Sequence, residues 1–174
     1  MVETERLVII PLNYDQLRLY LKGNGKLERE LRLTGSGRNV SEEVKQSVEL
    51  FILPTMKNII DDHYLFYTFW LVVEKTSGRI VGELGFKGKP GDKKEIEIGY
   101  GTFFEHRRKN MMTEAVGGMI DWATAREDVA FILAEADENN IASIRVLQKN
   151  SFEFFEKKEK MLWWKKKVIP RPDL

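Results

Sequence analysis

The stretch KEIEIGYGTFFEHRRKNMMTEAVGGMIDWATAR, residues 94–126, changes its hydrophobic period part-way along, and that change decides the fold. From Lys94 to Tyr100 the residues alternate. Ile96, Ile98 and Tyr100 share one face and Glu95, Glu97 and Gly99 the other, the period-two pattern of a strand. From Thr113 to Arg126 the apolar residues Val116, Met119, Ile120 and Ala123 recur at helical spacing. VAFILAEA (129–136) then reads as a buried strand. Strand, helix and strand in this order predict a right-handed crossover between two parallel strands.

In an open α/β sheet a ligand lies beyond the carboxyl ends of the strands, beside the next helix N-terminus. Here that place is FEHRRKNMMT, 104–113. Arg107, Arg108 and Lys109 add positive charge to a helix terminus that already carries about half a unit. Successive backbone N–H groups in such a turn suit an anion. Glycine usually lets the backbone come that close, but Asn110, Met111 and Met112 stand here instead. By itself the turn reads either as a phosphate site or as a solvated basic turn that ends the strand.

On the N-terminal side, RLVIIPL (6–12) predicts a first strand. Asn13 is placed to cap a helix from Tyr14, with Leu17, Leu19, Tyr20 and Leu21 as its apolar positions, and Gly23-Asn24-Gly25 breaks it. LTGSGRN (33–39) is a glycine-rich loop without the Gly-Lys-Ser/Thr ending of a nucleotide-binding loop. Ser41 opens a second helix, expected to turn Val44, Val48, Phe51 and Ile52 inward until Pro54 disturbs it. YLFYTFWLVVE (64–74) and 79–86 predict a hairpin around Thr76-Ser77-Gly78, and KGKPGDK (87–93) a further turn. After residue 136 come a helix from about Asn140 to Lys149, capped by Asp137 or Asn139, and strands at 152–155 and 161–167. The expected fold is one α/β domain over 1–174: a mixed, mostly antiparallel sheet with one parallel βαβ unit and helices on both faces.

Composition narrows the function classes. The 174 residues are 43% hydrophobic, 11% aromatic and 32% charged, which fits a globular domain. With 28 basic and 27 acidic residues the net charge is +1, so no overall field draws in nucleic acid or membrane. Cysteine is absent, which removes disulfides, thiolate metal ligands and cysteine nucleophiles. The acidic N-terminus lacks signal-peptide character and no apolar run approaches membrane-spanning length, so a cytoplasmic protein is expected. Asp61-Asp62-His63 reads as a solvated loop rather than a metal site. Trp163-Trp164 with Lys165 to Lys167 reads as an edge strand whose lysines block pairing, in preference to a nucleic-acid surface. Gly117-Gly118 within a helix suggests close packing on the sheet.

DENNIASIRVLQKNSF (137–152) puts Asn140 and Ser143 on one face at a helix start. With ETERLVIIPL (3–12), RIVGELGF (79–86), EIEIGY (95–100) and RRKNMMTEA (107–115), these motifs resemble, in order and over essentially the whole chain, the GNAT superfamily of acetyl-coenzyme A-dependent N-acetyltransferases. The resemblance is to the branch of ribosomal-protein-alanine acetyltransferases. It implies direct transfer of acetyl from acetyl-CoA to a primary amine, with no covalent enzyme intermediate and no metal. The acceptor is a protein N-terminus or a small molecule, and the protein a monomer or homodimer. A non-catalytic CoA-binding or protein-interaction member of the same fold is the alternative.

Residue by residue, the resemblance implies a pyrophosphate on the backbone of 108–113, with Arg107, Arg108, Lys109, Asn110, Met111, Met112 and Thr113 in the cofactor turn. The pantetheine arm is expected beside Gly101, Thr102 and Phe103, and Asn140 and Ser143 at the pantetheine or thioester. Glu97 is the expected general base, with a surface carboxylate as the other reading. Leu147 stands where many members carry an acid tyrosine, which leaves Ser143, or a water it holds, as the candidate. Asn110 replaces the turn's first glycine, Met112 its second small residue, and Ser151 the glycine before Phe152. The Met112 side chain is expected either to crowd the diphosphate or to enter the core.

Overall fold

The structure is a computed structural model that describes residues 1–35, 40–59 and 61–168. Residues 36–39 of the glycine-rich loop expected at 33–39 lie outside the described residues. The chain forms an eight-stranded sheet: β1 (Val2–Glu3), β2 (Leu7–Pro11), β3 (Phe69–Glu74), β4 (Ile80–Phe86), β5 (Glu95–Thr102), β6 (Phe131–Asp137), β7 (Glu153–Lys158) and β8 (Met161–Lys167). Their spatial order is β1-β2-β3-β4-β5-β6-β8-β7. β5 and β6 run parallel and every other neighbouring pair antiparallel.

The helices are α1 (Tyr14–Lys22), α2 (Lys26–Glu30), α3 (Glu42–Ser47), α4 (Leu53–Lys57), α5 (Met111–Thr124) and α6 (Ile141–Lys149). They cover both faces. Alternation along β3 shows how: Trp70 and Val72 join the core under α5 and α6, while Leu71 and Val73 join the core under α1 to α4. α1 starts where expected, because Asn13 accepts from Gln16 N while the Gln16 side chain accepts from Asn13 N, a reciprocal cap. Gly118 lets α5 sit close on the first strands. A Cβ there would come within 2.8 Å of Thr4 Cγ2 and 3.4 Å of Ile9 Cδ1.

Several expectations are corrected. The strand expected from Tyr64 begins at Phe69, since Asp61 accepts from His63 N and starts a 3-10 turn over Asp62–Phe66. The helix opened by Ser41 is not stopped near Pro54 but continues through a π turn, Val48–Ile52, into α4. The Leu53 N–H reaches back to the Val48 carbonyl. This wider turn rotates Phe51 out of the core, where it is 69% exposed, while Val48 stays buried. α6 is capped not by Asp137 or Asn139 but by Asn140, whose side chain accepts from Ser143 N at 3.1 Å. The Trp163–Lys167 run is not an edge: β8 lies between β6 and β7. Lys165 there bonds Glu95 at 2.7 Å and lies over the Phe131 ring.

Candidate active site

β5 and β6 pair at three positions only, from Glu95–Phe131 to Glu97–Leu133. β5 nevertheless continues beside β4 to Thr102, and β6 continues beside β8 to Asp137. The sheet therefore splits beyond Glu97 and Leu133. The edge of β5 that borders the split, from Ile98 to Thr102, points away from β4, and among the described residues no strand lies beside it. An extended amide chain can pair with such an edge as an added strand would.

At the far end of the split β5 gives way to the basic turn. Arg107, Arg108, Lys109 and Asn110 are all exposed. Arg108 and Asn110 have φ of +63° and +57°, so the left-handed geometry that a glycine would supply is adopted without one. Ser151, the other residue standing for a glycine, has φ +57°. The Asn110 side chain does not cap α5; it accepts from Lys149 Nζ at 2.8 Å and so ties the turn to α6. Glu114 braces the same turn from below. It accepts from Thr4 Oγ1 at 2.6 Å, Arg6 N at 2.7 Å and Arg6 Nε at 2.6 Å, and Arg6 Nη1 reaches the Lys109 carbonyl at 3.2 Å. Burial works against the charged form of Glu114, but these donors outweigh it and lower its pKa. Sequence reasoning missed this brace, because Arg6 and Glu114 lie 108 residues apart.

Met111 and Met112 are buried, so their side chains do not face the turn's solvent side. Met112 points across the sheet to Gly82 in β4, where an added Cβ would stand 2.9 Å from Met112 Cε. The absence of a side chain at Gly82 makes room for the larger residue at 112. Of the two readings of Met112, the core one holds.

On the face covered by α5 and α6, Tyr100 spans the split. Its hydroxyl lies 3.0 Å from Ser143 Oγ and 3.2 Å from the Ser143 carbonyl, at the first turn of α6. Burial pushes the phenol up to about 12, although the bond to Ser143 works the other way. Tyr100 therefore remains a neutral O–H at physiological pH. Leu147 is fully buried. Ser143, expected on α6, is thus in contact with a phenol from β5 that sequence reasoning did not single out. The alternation that put Tyr100 beside Ile96 and Ile98 was the signal available for it.

The opposite face holds a cleft of about 670 Å³. Gly99 and Gly101 lie in its floor, and a Cβ on either would meet nothing within 4 Å. Phe51, Ile52, Tyr67 and Phe69 form its walls, and Glu83 and Lys87 are its charged lining residues. Glu83 accepts from the Tyr20 hydroxyl at 2.7 Å. Glu97 stands at the apex of the split, paired closely with Lys87, which also bonds Glu135 at 2.7 Å. Burial disfavours the Lys87 ammonium, but these two carboxylates more than offset it and raise its pKa.

Thr102 and Phe103 are half-buried; the Thr102 carbonyl accepts from Arg107 Nε at 3.4 Å, and Phe103 N bonds the Val81 carbonyl at 3.0 Å. The split thus gathers Gly101, Thr102, Phe103, the basic turn, Asn140, Ser143 and Glu97. Asp61, Asp62 and His63 bring their ligand atoms within 4.8 Å of one another, but His63 pairs with Asp61 at 2.7 Å and Asp62 with Arg126 at 2.9 Å.

Residues 6–153 match the family described as Acetyltransferase (GNAT) domain. The chain belongs to the GNAT acetyltransferase family. It is 29% identical over 164 residues to an uncharacterized N-acetyltransferase, YjdG, of Bacillus subtilis (strain 168), covering 94% of this chain and 96% of that one. Among solved structures this GNAT chain shares its fold with RimL, a ribosomal L7/L12 alpha-N-protein acetyltransferase in complex with coenzyme A. The TM-score is 0.65, with 15% identity and 96% of each chain covered. A ribosomal-protein-S5-alanine acetyltransferase from Vibrio fischeri gives 0.65 at 17% identity, with 98% of each chain covered. Among the described residues no helix is long and apolar enough to cross a membrane.

Proposed function

We propose that this protein transfers an acetyl group from acetyl-CoA directly to a primary amine, on a small molecule or a protein N-terminus. The observation that carries the proposal is the split itself: an unpaired strand edge, Ile98 to Thr102, leads from an apex carboxylate to a basic helix N-terminus. The residues fit the co-substrate. The β5 edge suits the amides of a pantetheine arm, and Arg107, Arg108 and the turn's N–H groups suit a diphosphate. The description of the Bacillus subtilis relative as an N-acetyltransferase supports an amine acceptor.

In the reaction the amine nitrogen bonds to the acetyl carbon and the carbon–sulfur bond breaks. The ammonium must first lose a proton, and Glu97 at the apex is the base that takes it. A backbone N–H of β5 stabilises the oxyanion. Tyr100, held against Ser143, donates the proton that the leaving thiolate takes up. The role implied for Ser143 is thereby refined to orienting that phenol. Calorimetric titration with acetyl-CoA, followed by thiol release across a panel of amines, tests the proposal. Binding and turnover are expected. No binding at millimolar cofactor overturns it, and binding without turnover of any amine makes the chain a non-catalytic CoA-binding protein.

A further inference from the structure

We infer that the cleft above Gly99 and Gly101 takes an amine carried on an apolar, ring-sized body, and that this body packs on Phe51. The inference rests on the acetyl-transfer reading for the position of the amine, and it names the chemical class of the acceptor. It starts from a conflict between sequence and structure. The spacing of Val44, Val48, Phe51 and Ile52 suits one buried helix face, yet the π turn over Val48–Ile52 leaves Phe51 69% exposed. One extra residue in a helical turn rotates the downstream side chains by about 100°. Single-turn π segments recur at functional sites, and local rules are most often broken where function requires it.

The direction in which Phe51 is turned supplies the function. The ring lines the cleft, facing a floor without side chains at Gly99 and Gly101 and walls that include Tyr67 and Phe69. The same two glycines belong to the strand edge that flanks the split. A molecule seated in the cleft therefore presents its amine at the floor, next to that edge, and its body to Phe51. The lining supplies aromatic surface in quantity, and Lys87 is already held by Glu97 and Glu135. Small hydrophilic amines leave that aromatic surface in contact with water, so the cleft discriminates by apolar burial.

The test is a calorimetric titration of the protein without cofactor, using phenethylamine and ethanolamine, on wild type and on Phe51→Ser. Phenethylamine is expected to bind about 10-fold tighter than ethanolamine, and Phe51→Ser to remove most of that difference. Far-UV circular dichroism and the thermal unfolding midpoint of the variant report whether its fold is intact. Equal affinity for the two amines, undetectable binding of phenethylamine, or a preference that survives Phe51→Ser overturns the inference. So does a dimer in light scattering that Phe51→Ser dissolves without change in amine binding, which assigns the ring to a subunit interface. The titration needs neither cofactor nor turnover. A protein that prefers phenethylamine through Phe51 but acetylates no amine would overturn the acetyl-transfer reading and not the cleft's selectivity.

Discussion

The Tyr100 hydroxyl lies 3.0 Å from Ser143 Oγ, which ties the free edge of β5 to the first turn of α6. General acid catalysis is typically worth about 10²–10⁴-fold, so Tyr100→Phe is expected to lower kcat by about 10²-fold with little change in CoA affinity. The loss should shrink when acetyl is supplied on an aryl thiol, whose thiolate leaves without needing a proton. Because burial holds the phenol at about 12, the wild-type rate should show no alkaline fall from this group until pH approaches that value. Steady-state kinetics with the two thioesters decide between an acid and a merely structural hydroxyl, which the choice of thioester would not affect.

Glu97→Gln should slow transfer most at low pH, where the amine is most fully protonated. It also leaves Lys87 with Glu135 alone, so the Lys87 pKa, followed by NMR, should fall toward its ordinary value. A pH–rate profile that is the same in wild type and variant would remove Glu97 from the role of base.

Met112 and Gly82 form a large-small pair across the sheet. Met112→Ala removes a buried side chain and should cost about 2–5 kcal/mol of stability. Gly82→Ala would put a Cβ 2.4 Å from the Gly101 carbonyl oxygen and 2.9 Å from Met112 Cε, with an expected cost of about 1–3 kcal/mol. Denaturant unfolding measures both. In the double variant the Met112 clash is relieved but the Gly101 clash is not, so the two costs should not simply add.

Ser151 holds a left-handed conformation that glycine adopts freely. Ser151→Gly should raise stability by about 1 kcal/mol, the usual cost of a Cβ in that region. Asn110→Gly should gain less or lose, because asparagine tolerates the conformation and its side chain holds Lys149. Thermal unfolding of the two variants gives the comparison.

Glu114 makes part of the stability pH-dependent. Its pKa is lowered in the folded protein, so its contribution is fully present above the ordinary value of 4.5 and is lost as pH falls through the folded value. Glu114→Gln should cost about 1–2 kcal/mol at neutral pH and flatten the acid limb of the stability curve. CoA affinity should fall with it, since the Arg6–Glu114 pair buttresses the Lys109 carbonyl.

Where one side-chain pattern had one solution, the sequence was enough. KEIEIGY alternates, Thr113 to Arg126 has helical period, and the crossover between them allows a single hand, so the parallel pair and the turn at 107–110 were legible. Asn13 and Ser41 were legible as caps because capping is local chemistry. The site was legible to the extent that it is backbone at a helix start, through Arg107 to Asn110 and the helix opened by Asn140. Other features depend on which distant segment arrives alongside. β8 pairs with β6 rather than lying at the edge, Met112 finds room because Gly82 faces it, and Glu114 is held by residues 108 and 110 positions away. Phe51 turns outward through a backbone irregularity that periodicity does not encode. Short-range patterns record local dihedral and burial preferences. The partners of Tyr100, Met112 and Glu114 were decided only when the tertiary structure brought remote strands and helices into contact.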